Sequence, residues 1–405
     1  MPDRIWGGNT KRNFILISSV LFAVMFFLEK INGRFWLNDF KVFYLAAKAL
    51  INNEQVYGIA FGLPTGFYKY SPFTLLLFAP FTILPFNAAS VIDFIINAFC
   101  SIATIIILVK IVGQYLIIHG KLNLQVLLVL LFCVIIHLVR ELHLGNTNMI
   151  LLFLLCLSLK FILESKPIKS GAVLAVVILT KPYFLICLLP FLLYKKFKAI
   201  LSFSVSLLIF VLSSFIVSGF SRGMTLYSGW FTAMKEHSTY LSSAQTIPAL
   251  LNYYFGISVP PDYGIFLLGI ISLILYSYFL INDRHELNKN INDHSINKSL
   301  IIYFSLLISI VPSILITDTE HFLFSLPLIT ILLLLLARER NYFWIILFTI
   351  LIFLYDGNSS DLLGKNLAAK FETHGLLGIS NLILIGSVIF LYSKHNKFMS
   401  LKEKK

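Results

Sequence analysis

The chain has 405 residues, 58% of them hydrophobic and 13% charged, with a formal net charge of +13. Soluble domains carry about a quarter charged residues, so this composition excludes a soluble enzyme and requires a protein whose solvent is mostly lipid. The Lys and Arg are scattered over short links, so the positive balance reflects membrane topology and implies no nucleic-acid partner.

A hydrocarbon core about 30 Å thick needs roughly 20 apolar residues per helix. Taken in chain order, the apolar runs predict spans near 13–29, 88–110, 124–140, 147–163, 170–181, 182–194, 199–218, 262–281, 300–316, 321–337, 342–355 and 377–393, about twelve in all. The fifth and sixth are short and read as a tilted or re-entrant hairpin with its tip at Lys181-Pro182. The first follows Lys11-Arg12 without a small-residue cleavage site, which favours a retained helix over a removed signal peptide. The run 72–84 is too short to cross and is interrupted by proline, so it reads as an interfacial helix. With that choice, 20 of the 32 Lys and Arg fall in the links on one side, which the positive-inside rule makes cytoplasmic together with both termini. The expected architecture is an all-α integral membrane protein, one polytopic domain over 1–405. Interfacial helices occupy a first outer loop, 30–87, and a second large outer loop spans 219–261. Cys100, Cys133, Cys156 and Cys187 all fall inside spans, with no zinc-type spacing, and no metal or cofactor is expected.

Polar residues with chemical potential cluster on the outer side. Asp39 follows the first span in NDFKVFYLAAKAL. Asn38 is suited to cap a helix with Asp39 in its first turn. Phe40, Phe43 and Tyr44 partly desolvate that carboxylate, which should raise its pKa and suit it to general-base work. In Tyr68-Lys69-Tyr70-Ser71-Pro72, Ser71 caps and Pro72 takes the first helical position. Lys69 then lies beside a helix N-terminus, and both attract phosphate; tyrosines at a lipid surface are equally ordinary anchors. The stretch RELHLGNTN holds Arg140, Glu141, His143, Asn146 and Asn148. It reads either as a helix-end pair of Arg140 with Glu141 or as the lining of a polar cavity. Lys181, in ILTKPYF, is costly between two apolar halves unless it faces water or an anion, or snorkels to the surface. Thr317, Asp318, Glu320 and His321 form a further group, and Lys235, His237, Ser243 and Gln245 lie in the second large loop. No charge is expected at mid-span beyond Lys181. Chemistry on this face has no access to nucleotides, so a transferase there takes its donor from a lipid carrier.

In order along the chain, Asp39-x4-Tyr44-x2-Ala47, Tyr57, Tyr68-x-Tyr70-x-Pro72 and Pro80 resemble glycosyltransferase family 87. Gly145-x-x-Asn148, Gly171 with Lys181-Pro182, Ser243-x-x-Thr246 and His321-x5-Pro327 are similar to its later steps. Asn146 departs from the pattern, standing where Gln is common. The resemblance implies a GT-C fold and a polyprenyl-phosphate-sugar donor; the family uses both mannose and arabinofuranose donors, which this sequence does not separate, and mannose is the favoured expectation. It implies inverting transfer to a lipid or glycan acceptor of the cell envelope. Asp39 would be the base, and Lys69, Arg140, Lys181 or His321 would hold the donor phosphate. Tyr44, Tyr68, Tyr70, His143, Asn146, Asn148 and Glu320 are the candidate substrate contacts. A transporter or flippase of a lipid-linked sugar is the alternative, although paired intramembrane charges and inverted repeats, which would favour it, are not evident.

Overall fold

The computed structural model describes residues 6–63, 66–116, 122–240, 244–260, 263–284, 293–315, 318–339 and 341–402, with only the backbone described for 237–240, 293 and 394–402. Among them every regular element is helical, and β pairing is confined to two isolated bridges. Helix α1 (Thr10–Ile31) leads to α2 (Asn38–Ile51), then to the seven-residue α3 (Pro72–Phe78), which tightens into a 3₁₀ turn, Ala79–Ile83. Next come α4 (Phe86–Tyr115), α5 (Leu124–Phe132) and α6 (Ile135–Leu144), α7 (Asn148–Leu163) and α8 (Pro167–Thr180). A 3₁₀ turn, Pro182–Cys187, joins α8 to α9 (Leu188–Leu193), α10 (Phe197–Ser218), α11 (Phe220–Tyr240), α12 (Ile247–Phe255), α13 (Gly264–Asn282) and α14 (Asp293–Ile314). The 3₁₀ segment Thr319–Ser325 runs into α15 (Leu326–Glu339), followed by α16 (Tyr342–Asp356), α17 (Ser360–Leu363), α18 (Lys365–Thr373) and α19 (Leu376–Lys402).

By length and apolar composition, seven of these helices can cross a membrane, or up to eight if α5 and α6 form one bent span. The chain is therefore a multi-pass membrane protein. The count of twelve is not reproduced, because the runs at 147–163, 170–181, 182–194 and 342–355 fold as shorter apolar helices. The break between α5 and α6 bends the path by 62° without a proline. It frees backbone N–H groups that lipid cannot satisfy. Asp356, more than 200 residues later, accepts from the amides of Ile136 and His137 at 3.1 Å each and so caps the broken end.

At 1.5 Å per residue, α7 with 16 residues spans about 24 Å and α8 with 14 about 21 Å. A short turn joins them, so Asn148 at the start of α7 and Lys181 just after α8 lie at the same end of the pair, both buried, with Lys181 Nζ on Asn148 Oδ1. Pairing of α8 with α10 depends on Gly171, where an added Cβ would lie 2.2 Å from the carbonyl of Ala199 and 2.6 Å from the amide of Phe203. Bordering the end that holds Asn148 and Lys181 is an aromatic rim, a second core in which Phe40, Phe43, Tyr44, Tyr57, Tyr68, Phe78 and Trp230 pack α2, α3 and α11 together. The main core lies below it, through the bundle.

Candidate functional site

Two backbone irregularities bring α2 against the turn between α6 and α7. Leu37, fully buried, holds a left-handed conformation (φ 43°) at the cap position of α2, so the helix starts at Asn38 rather than being capped by its side chain. Gly145 ends α6 in the same region of backbone space (φ 65°). A Cβ there would lie 2.8 Å from the Cβ of Phe40, 3.2 Å from that of Leu37 and 3.3 Å from Asp93 Oδ2. Glycine is needed on both counts, since other residues pay for φ > 0 and there is no room for a side chain. This packing sets the central contact of the site: Asn146 Nδ2 donates to Asp39 Oδ2 at 2.8 Å.

Asp39 is half-buried beside the Asn146 amide. Desolvation raises its pKa to about 6, the nearby Asp318 carboxylate adds to the rise, and the Lys181 and Lys69 charges oppose it. A carboxylate poised near neutrality, with cations close enough to act on it, is what general-base chemistry requires. Burial lowers Lys69 below the usual lysine range, against the pull of Asp318 and Asp39. Its backbone carbonyl is fixed by Trp230 Nε1 at 3.2 Å. Ser71 and Pro72 start α3 as the sequence implies, the Ser71 hydroxyl accepting from the Thr74 amide at 3.4 Å. Tyr70 OH bonds Thr147 Oγ1 at 3.0 Å, which aims the ring at the same turn.

The rest of the cluster is a chain of polar groups. Lys181 sits in an extended residue between Thr180 and Pro182, as a pre-proline position favours. Its Nζ donates to Asn148 Oδ1 at 2.5 Å and to His321 Nε2 at 2.7 Å. An ammonium has only donors, so His321 accepts here and is neutral at Nε2. Glu320 is buried, with Oε1 3.5 Å from Asn146 Nδ2, so one amide faces two carboxylates.

The structure thus brings together Asp39, Lys69, Tyr70, Asn146, Asn148, Lys181, Glu320 and His321. It does not bring the other candidates into this cluster. Tyr44 is packed in the aromatic rim, its hydroxyl donating to the Leu84 carbonyl at 2.8 Å. Tyr68 is fully buried there, donating to the Ser71 carbonyl at 3.3 Å. His143 pairs with Glu29 of α1 at 2.8 Å. Arg140 does not pair with Glu141. Its guanidinium bonds Thr319 Oγ1 at 2.5 Å and the Asn358 carbonyl at 2.9 Å, tying the loop after α16 to the turn before α15. Ser243 and Thr317, and the side chain of His237, lie outside the described residues. Gln245 bonds the Glu372 carbonyl at 3.1 Å and the Gly378 amide at 3.1 Å, a stitch between outer loops.

Asp93 corrects the expectation of no mid-span charge beyond Lys181. It is buried in α4, within hydrogen-bond reach of Asn97 Nδ2 (3.3 Å) and close enough to Glu141 for their charges to interact. The signal was available, since an ionisable residue inside a span is a functional candidate by default. Asp356 also went unrecognised as a cap, because nothing local connects it to α6.

Comparison with known proteins covers part of this site. The profile of glycosyltransferase family 87 matches residues 67–309; Lys69, Tyr70, Asn146, Asn148 and Lys181 lie inside the matched region, and Asp39, Glu320 and His321 lie outside it. Among solved structures the chain is similar to ArnT from Cupriavidus metallidurans, crystallised bound to undecaprenyl phosphate. The two share 10% identity with a TM-score of 0.38, over 93% of this chain and 78% of that one. No curated protein matches.

Proposed function

The chain belongs to glycosyltransferase family 87, and from that premise we propose an inverting transfer of a sugar, mannose, from a polyprenyl-phosphate donor to a glycolipid or glycan hydroxyl on the extracytoplasmic face. In this reading the GT-C-type bundle is one domain of the cell membrane with both termini cytoplasmic, and the polar cluster around Asp39 and Lys181 is the active site. The observation that carries the reading is Asp39: a half-buried carboxylate near neutrality, held by Asn146 and within the fields of Lys69 and Lys181.

The acceptor hydroxyl attacks the anomeric carbon from the face opposite the phosphate. Asp39 removes the hydroxyl proton as the new C–O bond forms. The bond from the anomeric carbon to the phosphate oxygen breaks, and the polyprenyl phosphate leaves with one more negative charge. Lys69 and Lys181 stabilise that charge, with His321 orienting Lys181; cationic side chains take the part a metal plays in other transferases. Two of the three Lys181 N–H groups are used by Asn148 and His321, so the third is left to address the phosphate. A cluster of buried cations in a chain that is 58% hydrophobic suits a donor whose phosphate is carried on a lipid. Arg140 is committed to Thr319 and Asn358, so the reading places the phosphate on the lysines.

The test is transfer of radiolabelled mannose by purified protein from polyprenyl-phosphate mannose, with GDP-mannose as the control donor and the product anomer read by NMR. The expected result is inverted product from the lipid donor alone. Turnover of the nucleotide donor, or retention of configuration, would overturn the reading.

A further inference from the structure

Glu141 is a buried acid that the mechanism above does not use. It lies one helical turn before Gly145, and both its oxygens are engaged. Oε1 accepts from the Met149 amide and Oε2 from Asn148 Nδ2, each at 2.9 Å. An asparagine amide is two-faced, with a donor on one side and an acceptor on the other. With its NH₂ held by Glu141, Asn148 must turn Oδ1 the other way, and Oδ1 is what receives Lys181 Nζ. Reversing that amide would aim two N–H groups at an ammonium. The orientation of Asn148, and with it the seat of Lys181 against His321, therefore depends on a carboxylate whose own partners are Asn148 and the Met149 amide.

We propose that Glu141 is a positioning residue: by fixing the Asn148 amide it holds the Lys181 ammonium at the point where the leaving phosphate develops charge. This rests on the placement of the donor phosphate at Lys181. Asp93 adds to the arrangement from α4 by supplying a second acid near Glu141, while Lys181 supplies the opposing charge.

The experiment is a charge-conserving swap. In E141Q, an N–H of the introduced amide meets Asn148 Nδ2, which turns the asparagine over and unseats Lys181. In N148D, two acids face each other. In the double variant E141Q/N148D, the introduced carboxylate at 148 accepts from both the introduced amide at 141 and Lys181, and the net charge is that of the native pair. We expect E141Q to lower kcat about tenfold or more, the loss of one charge-assisted contact, with the acceptor KM changed less than about twofold because ground-state binding is not involved. The double variant should return to within roughly threefold of wild type, as coupled neighbours do when their interaction is rebuilt. E141Q at wild-type kcat, or a double variant no faster than E141Q, overturns the inference. A purely structural Glu141 would lower melting temperature and leave kcat of the folded fraction unchanged. Lys181→Met is measured alongside. If it is slow while E141Q is normal, only the role of Glu141 falls. If it turns over normally, the phosphate placement falls and the role of Glu141 falls with it.

Discussion

Replacing Asp39 by Asn separates the catalytic use of this carboxylate from a structural one, because the two predict opposite signs. Its pKa rises from 3.8 to about 6, chiefly through desolvation. At 1.36 kcal/mol per pH unit, keeping it ionised in the folded protein costs about 3 kcal/mol, and water on its open side reduces this to about 2 kcal/mol. The sign follows from proton binding. The folded state holds the proton more tightly than the unfolded one, so the cost is absent below pH ~4, grows between pH ~4 and ~6, and is fully present above. Asp39→Asn removes that cost. It keeps an oxygen for Asn146 Nδ2 but gives up the charge assistance of that bond, about 1 kcal/mol. The variant should therefore be more stable than wild type by about 1 kcal/mol at pH 7.5 and no more stable at pH 4.5. Melting of purified protein in detergent at the two pH values reads this directly. In the same samples, kcat should fall by a hundred- to ten-thousandfold, the usual range for a lost general base. Wild-type kcat/KM should rise with pH and level off above about 6. A variant that is less stable at pH 7.5 than at pH 4.5, relative to wild type, or one that keeps more than about a tenth of kcat, would refute the assignment of Asp39 as a desolvated base.

Three further outcomes are expected. Lys69→Met should lower kcat about ten- to a hundredfold if the ammonium meets the leaving phosphate, and assays of sugar release from the donor check it; normal turnover would move the phosphate wholly to Lys181. Gly145→Ala should lose roughly 1–2 kcal/mol from the left-handed backbone alone, and more from the 2.8 Å approach of Phe40. Its transfer rate should drop with its melting temperature, whereas an unchanged melting curve would mean that the α2–α6 contact is looser than described. Cysteines introduced singly at the exposed positions Glu54 and Lys198, in a background lacking the four native ones, should label from opposite faces of sealed vesicles, with Glu54→Cys reached from outside; labelling of both from one face would overturn the topology.

Composition and the length of the apolar runs determined that this is a helical membrane protein, because lipid admits only helices and closed barrels and barrel strands show alternation over about ten residues rather than long continuous apolar runs. The short α3 was equally legible, since Ser71 and Pro72 mark its start and the later prolines limit its length. So was the break at Lys181-Pro182, because the residue before proline is driven to extended backbone whatever surrounds it. The acid Asp39 and the cations Lys69 and Lys181 were legible as residue types out of place in a greasy chain. Their partnership was not. The Asn146–Asp39 bond joins residues 107 apart, and the Lys181–His321 bond residues 140 apart. Local pattern carries no term for such distances. Tyr44, Tyr68 and His143 look the same in sequence as Tyr70 and Asn146, and only packing turned the first three into the rim or toward α1. The number of full crossings was likewise a tertiary decision, because an apolar run of 14–16 residues is compatible with a span or with a shorter helix buried among neighbours. The site rests on the same kind of decision: the short link between α7 and α8 returns Lys181 to Asn148, but His321 joins Lys181, and Asp39 joins Asn146, only through the tertiary fold.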